Sequence, residues 1–359
     1  MENNQSGGET GKRKEDEVQL FCTGKNRTER FFHFKNRKYL SDGFGTGRGH
    51  MKILLIGGGG FVGGHLKKAL AARQHEVLTA DRAECKNRDY ILDLLNRPSI
   101  DAVLEAVHPD RIIHLAAQSC VSLSWEKPAM TAEINMVGSI NLLQSAAELA
   151  RGSRFIFIGS SDEYGQSSFD QVLDEDSICH PCSPYALSKY SAGEMLQLLA
   201  RRSKIDFVHL RPCNHFGPEQ REGFVTADFA SQIARIEKGE GAPVLRVGNL
   251  SSEKHFLAVE DVVSAYCAVA EAPRLNRTIY NITSDRLYSV QELLDILLRY
   301  SLCPISVETD PARFRPQEVP PLRISAQAIR QELGWKAEIK IEDALKQTLD
   351  FWRRKLGVR

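Results

Sequence analysis

The stretch Gly57-Gly58-Gly59-Gly60-Phe61-Val62-Gly63 follows a short apolar run, Met51–Ile56, and opens the helically spaced segment Phe61–Arg73. A strand, a glycine turn and a helix in that order leave a chain few folds. The turn contains both G-x-x-G-x-x-G and G-x-G-x-x-G spacings, and Asp81 stands at the end of the next predicted strand, Glu76–Ala80. Glycines let the backbone turn tightly and approach a pyrophosphate, and the helix N-terminus adds unpaired N–H groups at its positive dipole end. Asp81 can accept hydrogen bonds from ribose hydroxyls, while Arg82 beside it can reach a 2′-phosphate, so NAD and NADP both remain open. The cofactor cradle is therefore assigned to Gly57, Gly60, Phe61, Val62 and Gly63, with Asp81 and Arg82.

The rhythm continues. Strands are predicted at Tyr90–Leu92, Arg111–Leu115, Arg154–Ile158 and Phe207–Arg211, with helices between them near Ile100–Val107, Ala132–Ala150 and Tyr185–Ser203. Strands alternating with helices mean βαβ units, and the right-handed crossover makes them an α/β fold with a doubly wound parallel (Rossmann) sheet. After about residue 212 the pattern loosens. Ser289-Val290-Gln291-Glu292 reads as a capping box opening a helix Val290–Ser301. Ser325 is placed to cap Ala326–Leu333, which Gly334 ends. Pro304, Pro311, Pro316, Pro320 and Pro321 mark irregular chain between those helices. The expected division is a dinucleotide-binding domain over 51–212 and a smaller substrate lobe over 213–359, with some chain returning to the sheet.

Residues 1–50 differ, with eight glycines, ten basic and seven acidic residues, and no sustained periodicity. They are expected to be a disordered extension that contributes nothing to activity. The whole chain balances 47 basic against 46 acidic residues, so no global field draws it to nucleic acid or an anionic membrane. Its longest apolar runs are far short of the roughly 20 residues that span a bilayer. Eight cysteines without a secretory signal fit reduced thiols and a cytoplasmic protein. The one C-x-x-C, Cys179-His180-Pro181-Cys182, is read as two incidental loop cysteines, and no metal site is indicated.

Chemistry enters at Tyr185-Ala186-Leu187-Ser188-Lys189, where Tyr185 and Lys189 stand at i and i+4 on one helix face. An isolated phenol titrates near pH 10; a cation one turn away is expected to lower it and make proton exchange with a hydroxyl or carbonyl feasible. Upstream, Ser160-Ser161-Asp162-Glu163-Tyr164-Gly165 follows the strand ending at Ile158, at the sheet edge where ligands of open α/β sheets bind.

These motifs, with His114-Leu115-Ala116-Ala117 and Asn135, closely resemble the extended short-chain dehydrogenase/reductase family of nucleotide-sugar epimerases, dehydratases and reductases over Met51–Val358. The resemblance implies that Ser161 bonds the reacting oxygen and Tyr185 transfers the proton. Lys189 would hold the nicotinamide ribose, Asn135 would support the geometry, and Asp93-Leu94, Ala116 and Ala117 would line the NAD(P) site. In the C-terminal half, Asn214-His215-Phe216-Gly217-Pro218, Gly223-Phe224-Val225-Thr226, Val247-Gly248-Asn249-Leu250 and Arg315-Pro316-Gln317-Glu318-Val319 look most like enzymes of GDP-linked sugars. Ser119, Asn214, Val225, Asn249, Lys254, Arg315 and Glu318 would then bind the nucleotide sugar. Arg315 suits a diphosphate and Glu318 a ribose diol. Relatives usually carry Arg-Asp where this chain has Lys254-His255, which exchanges a bidentate grip for a point charge.

Two chemistries run on such a scaffold. A 4,6-dehydratase needs a base for the C5 proton and an acid for the leaving hydroxyl, a pair that Asp162-Glu163 could supply, and its motif reads Ser/Thr-x-Glu-x-Tyr-Gly. With Ser161 as the serine, Glu163 abuts Tyr164 one residue short, a form resembling GDP-4-keto-6-deoxymannose reductases. Reduction of the C4 ketone by NAD(P)H is the preferred reading; a 4,6-dehydratase or 4-epimerase is the alternative, and a non-catalytic NAD(P)-binding regulator a third. Helices Ala132–Ala150 and Tyr185–Ser203 could pair across a two-fold axis in a homodimer.

Overall fold

The computed structural model describes residues 49–167, 171–313 and 321–358. The glycine turn joins β1 (Lys52–Ile56) to α1 (Phe61–Ala72), followed by β2 (Glu76–Asp81), β3 (Tyr90–Ile91), α2 (Arg97–Val107) and β4 (Arg111–His114). Two short helices, α3 (Val121–Glu126) and α4 (Pro128–Ala132), lead through a π-helical turn, Glu133–Val137, into α5 (Gly138–Leu149). Then come β5 (Arg154–Ile158), a 3-10 turn at Ser161–Tyr164, β6 (Val172–Leu173), α6 (Pro184–Ser203), β7 (Asp206–Pro212) and β8 (Asn214–Phe216). The remainder supplies α7 (Val225–Glu237), β9 (Val244–Val247), β10 (Glu253–Ala258), α8 (Val259–Glu271), β11 (Ile279–Ile282), β12 (Leu287–Ser289) and α9 (Val290–Arg299). It ends with β13 (Ser306–Thr309), β14 (Arg323–Ile324), α10 (Gln327–Leu333) and α11 (Ile341–Leu356).

Seven strands form a parallel sheet in the order β11-β7-β5-β4-β1-β2-β3. The order reverses between β1 and β4, which opens the crevice where such sheets take ligands at their carboxyl ends. Alternation along β1 explains why its run is apolar throughout: Ile53 and Leu55 enter one core with Leu66 and Val262, while Leu54 and Ile56 enter the other with Leu104 and Leu142. A third core gathers Phe216, Leu245, Leu293, Leu345 and Trp352 around α7, α9 and α11, while α8 and β11 return to the main sheet. Arg154 of β5 is buried and donates to Val269 O and Ala272 O, satisfying carbonyls at the end of α8, with Asp206 as its ion partner at 2.7 Å.

Most predicted elements are present within one to three residues. The Ser289 capping box forms with Glu292, and Gly334 takes the left-handed cap. Three differences matter. The helix expected to run unbroken through Ala132–Ala150 begins with the π turn. The proline-marked region holds a strand, β13, paired in parallel with β9, because Pro304 and Pro311 flank it rather than interrupt it. Ala326 takes the N-cap place of α10, one residue later than expected, although Ser325 Oγ still accepts from Gln327 N.

Candidate active site

The glycine turn is built for close approach. Gly57 has φ +82°, and a Cβ there would lie 2.6 Å from Ala116 N, so β1 and β4 meet where only glycine fits. Gly60 is extended and open, with Gly57 O its nearest neighbour at 3.4 Å from a Cβ position. α1 then starts with Phe61 and Val62, with no side-chain cap and no acidic residue in its first turn, so its N–H groups face the cradle unopposed. Asp81 accepts from Gly59 N at 3.1 Å and from Arg82 N at 2.8 Å, which pins its carboxylate over the turn. Arg82 is exposed beside it. Ala116 N donates to Ile56 O, Ala117 follows, and Leu94 packs on Gly138 with Asp93 exposed next to it. The donor set, the dipole end and the space suit a dinucleotide pyrophosphate and its adenosine ribose.

α6 carries the second part. Ser183 Oγ accepts from Ala186 N at 3.1 Å and Pro184 fills the first helical position, which fixes the start of the helix and sets Tyr185 and Lys189 one turn apart. Lys189 is buried, donates to Ile158 O at 2.7 Å, and lies 5.1 Å from the Phe157 ring centre. Burial lowers its ammonium to about 8, with Glu163 opposing. Tyr185 keeps part of its surface open, yet crowding by protein pushes its phenol up, with Asp162 acting in the same direction and Ser160 against it. The expected lowering is therefore not what the site shows: burial raises the phenol, with Asp162 and Glu163 adding to it.

The turn after β5 corrects two expectations. The serine that acts on the Tyr185 phenol is Ser160, not Ser161. Ser160 is the last extended residue, at φ −160° and ψ 147°, and Ser161 already begins the 3-10 turn, buried one position on. Glu163 is not free to act as a base. It is fully buried, bonded to His209 Nε2 at 3.0 Å and Arg211 Nε at 2.8 Å, and it accepts from Ser160 N at 2.9 Å. Burial alone would raise its carboxyl, but His209, Arg211 and that N–H hold it below its usual range. Counting from Ser160, the motif reads Ser-x-Asp-x-Tyr-Gly with no residue missing. Asp162 is the acid left partly exposed beside Tyr185.

Asn135 lies in the π turn, whose extra residue re-aims side chains. Its Nδ2 donates to Gln118 O and Ser188 Oγ, and its Oδ1 accepts from Gln118 N at 2.8 Å, so it ties the segment after β4 to the helix of Tyr185. Ser119 is exposed on that segment. Asn214 donates to His255 O, Val225 is the first residue of α7, Asn249 Oδ1 accepts from Ser251, and Lys254 is half-buried opposite Tyr288. His255 is a packed residue, accepting from Ile324 N at 3.1 Å. Arg315 and Glu318 lie outside the described residues. Cys179 and Cys182 are free thiols bonded to nearby carbonyls. The Glu163–His209–Arg211 cluster escaped the sequence reading, although polar residues at alternate positions of a buried strand, His209 and Arg211, were its signal.

Fold and site together define a dinucleotide-binding protein of the extended short-chain dehydrogenase/reductase class. The match is specific: residues 54–348 fit the model of the GDP-mannose 4,6 dehydratase family, and the chain belongs to that family. It is 33% identical to GDP-6-deoxy-D-mannose reductase of Pseudomonas aeruginosa over 306 residues, 85% of this chain and 98% of that protein. The structure of RMD from Pseudomonas aeruginosa complexed with NADPH superposes with a TM-score of 0.73 at 33% identity, covering 85% of this chain and 99% of that one. UDP-glucose 4-epimerase of Thermus thermophilus in complex with NAD gives 0.73 at 26% identity, covering 84% and 98%. Among the described residues no helix is long and apolar enough to cross a membrane.

Proposed function

We propose that this chain reduces the C4 ketone of a GDP-linked 4-keto-6-deoxy-hexose with NAD(P)H. The observation that carries the reading is the pairing of a protonated phenol with a serine at the sheet edge while the neighbouring glutamate is locked beneath them. Residues 51–212 hold the cofactor, through Gly57, Gly60, Phe61, Val62, Gly63, Asp81, Ala116 and Lys189; bound there, the reduced nicotinamide supplies hydride. Ser160 holds the carbonyl oxygen. Tyr185, kept protonated by its buried surroundings, gives its proton to that oxygen as negative charge develops on it. Residues 213–359 mainly bind the nucleotide sugar through Asn214, Val225, Asn249 and Lys254, with Arg315 on the diphosphate and Glu318 on the ribose. The likeness to GDP-6-deoxy-D-mannose reductase supports the substrate class.

One observation favours a second reading. Asp162 stands free beside Tyr185, where a 4,6-dehydratase needs a base for C5, though with one methylene less than a glutamate. Incubation separates the two. A reductase leaves GDP-mannose unchanged and consumes NAD(P)H only with the 4-keto sugar. Turnover of GDP-mannose with catalytic NAD(P)+ alone replaces the first reading by the second. The protein acts in the cytoplasm as a homodimer: Val137, Leu187, Met195 and Leu198 expose apolar surface on the paired helices around α5 and α6. Sedimentation of the wild type as a monomer at micromolar concentration refutes the dimer.

A further inference from the structure

Ser160 rests on a buried cluster of charge that the reaction itself does not use. Glu163 Oε1 takes both Ser160 N and His209 Nε2, and Oε2 takes Arg211 Nε. Arg211 continues to Tyr164 OH at 3.2 Å. The packing leaves no slack: a Cβ on Gly159 would lie 2.1 Å from His209 Nε2 and 2.2 Å from Glu163 Oε1. One buried carboxylate thus faces the Arg211 guanidinium and, across the backbone of residues 158–160 that both side chains hold, the Lys189 ammonium. Lys189 donates to Ile158 O at 2.7 Å, while Glu163 accepts from Ser160 N at 2.9 Å. An uncompensated excess of buried positive charge would repel the ammonium and favour loss of its proton.

We propose that Glu163 is a positioning residue that seats the backbone of Ser160 and supplies the negative charge balancing Lys189, thereby keeping the cofactor-holding ammonium charged at neutral pH. The inference rests on the reading that Lys189 grips the nicotinamide ribose. Groups facing Lys189 and Tyr185 from other elements are Asp162 and Glu163 of the turn, His114 of β4 and Tyr266 of α8. Of these, Glu163 is the one that raises both Lys189 and Tyr185, so its loss lowers both. Asp162 acts on Tyr185, while His114 stays neutral and carries no compensating charge.

The test is NAD(P)H affinity against pH, measured by nicotinamide fluorescence on the full chain. In Glu163→Gln the neutral amide can still accept from Ser160 N, but the charge is gone, and the alkaline loss of affinity moves down by about one pH unit. Glu163→Asp keeps the charge and retains the wild-type midpoint, with turnover reduced because the shorter side chain no longer reaches Ser160 N. If Glu163→Gln fails to fold around an unpaired Arg211, Glu163→Gln/Arg211→Met removes both ions. A smaller displacement in the same direction is expected there, because Lys189 loses its counter-charge while the Arg211 charge leaves with it. An unmoved midpoint in the folded Gln variant, or equal pH-independent losses in Gln and Asp, overturns the proposal. Turnover is not needed for this readout: absence of ketone reduction in the wild type would remove the functional reading and leave the titration to decide Glu163.

Discussion

Three alanine substitutions within eight residues of the glycine turn are expected to give three different outcomes. At Gly57 the backbone has φ +82°, which costs an L-residue about 1–2 kcal/mol. The added methyl would also lie 2.6 Å from Ala116 N and 2.7 Å from its Cα, backbone that can yield only if the ends of β1 and β4 part, costing a further 1–3 kcal/mol or so. Gly57→Ala should therefore lose about 2–5 kcal/mol, lowering the thermal midpoint by about 3–8 °C for a folded unit of this size. Gly60 is different. It has φ −79°, and the nearest atom is 3.4 Å from the new Cβ, so the fold should lose no more than about 1 kcal/mol. The methyl instead occupies the space through which a pyrophosphate approaches, and NAD(P)H affinity should fall at least about tenfold. At Gly64 a Cβ is 3.7 Å from Glu219 Oε2 inside α1, so alanine should stabilise by about 0.5–1 kcal/mol and leave binding unchanged. Differential scanning fluorimetry and fluorescence titration on the three variants measure all six quantities. Wild-type cofactor affinity in Gly60→Ala, together with a wild-type midpoint in Gly57→Ala, would show that the turn is not the cradle.

Tyr185→Phe removes the proton donor and nothing that holds the cradle; ketone reduction should fall at least about 100-fold with NAD(P)H affinity within threefold, by steady-state assay and titration. Asn135→Asp turns two donated bonds, to Gln118 O and Ser188 Oγ, into oxygen facing oxygen, and kcat should drop about tenfold or more with the secondary structure intact by circular dichroism. His114 is fully buried, and burial, assisted by Lys189, lowers its imidazole to about 3. A histidine lowered in the folded state contributes stability that is complete above its unfolded value near 6.5 and is lost as pH falls from there towards 3. Urea unfolding at pH 4.5 should thus show a loss of about 2–3 kcal/mol relative to pH 7, and His114→Gln, which can still bond Ser139, should remove that part of the slope. An identical slope in the variant refutes the assignment.

The fold was legible because its information is local. A parallel strand buried on both faces must be apolar at every position, as Ile53–Ile56 is, and a glycine turn must be glycine where β1 touches Ala116. The helix of Tyr185 declares itself through Ser183 and Pro184. What the sequence concealed are features decided by long-range packing. The π turn at Glu133–Val137 has no sequence signature of its own; it is held by the bonds Asn135 makes to Gln118 and Ser188, the latter 53 residues away. Glu163 looked like a catalytic acid because its two partners come from β7, more than 40 residues downstream, and pairing with them reverses its meaning from exposed base to buried counter-ion.

The choice between Ser160 and Ser161 follows from the strand rather than from the motif. Gly159 N still bonds Leu210 O at 2.8 Å, so β-geometry persists past Ile158 and carries Ser160 to the sheet's carboxyl edge. Ser160 is the last extended residue and Ser161 already turns into the 3-10 helix, so the strand delivers only the first of the two serines to that edge. Once Ser160 is that serine, the acid two residues on is Asp162, and the argument for a missing residue disappears. Reductase and dehydratase then differ here by the reach of one carboxylate rather than by its absence. Asp162→Glu restores the methylene without touching Ser160, Tyr185 or Lys189. If reach is what withholds elimination, that variant should form a measurable 4-keto product from GDP-mannose with catalytic NAD(P)+, where the wild type forms none. A variant that binds NAD(P)H and reduces the 4-keto sugar, yet leaves GDP-mannose untouched, would place the barrier to elimination elsewhere in the site.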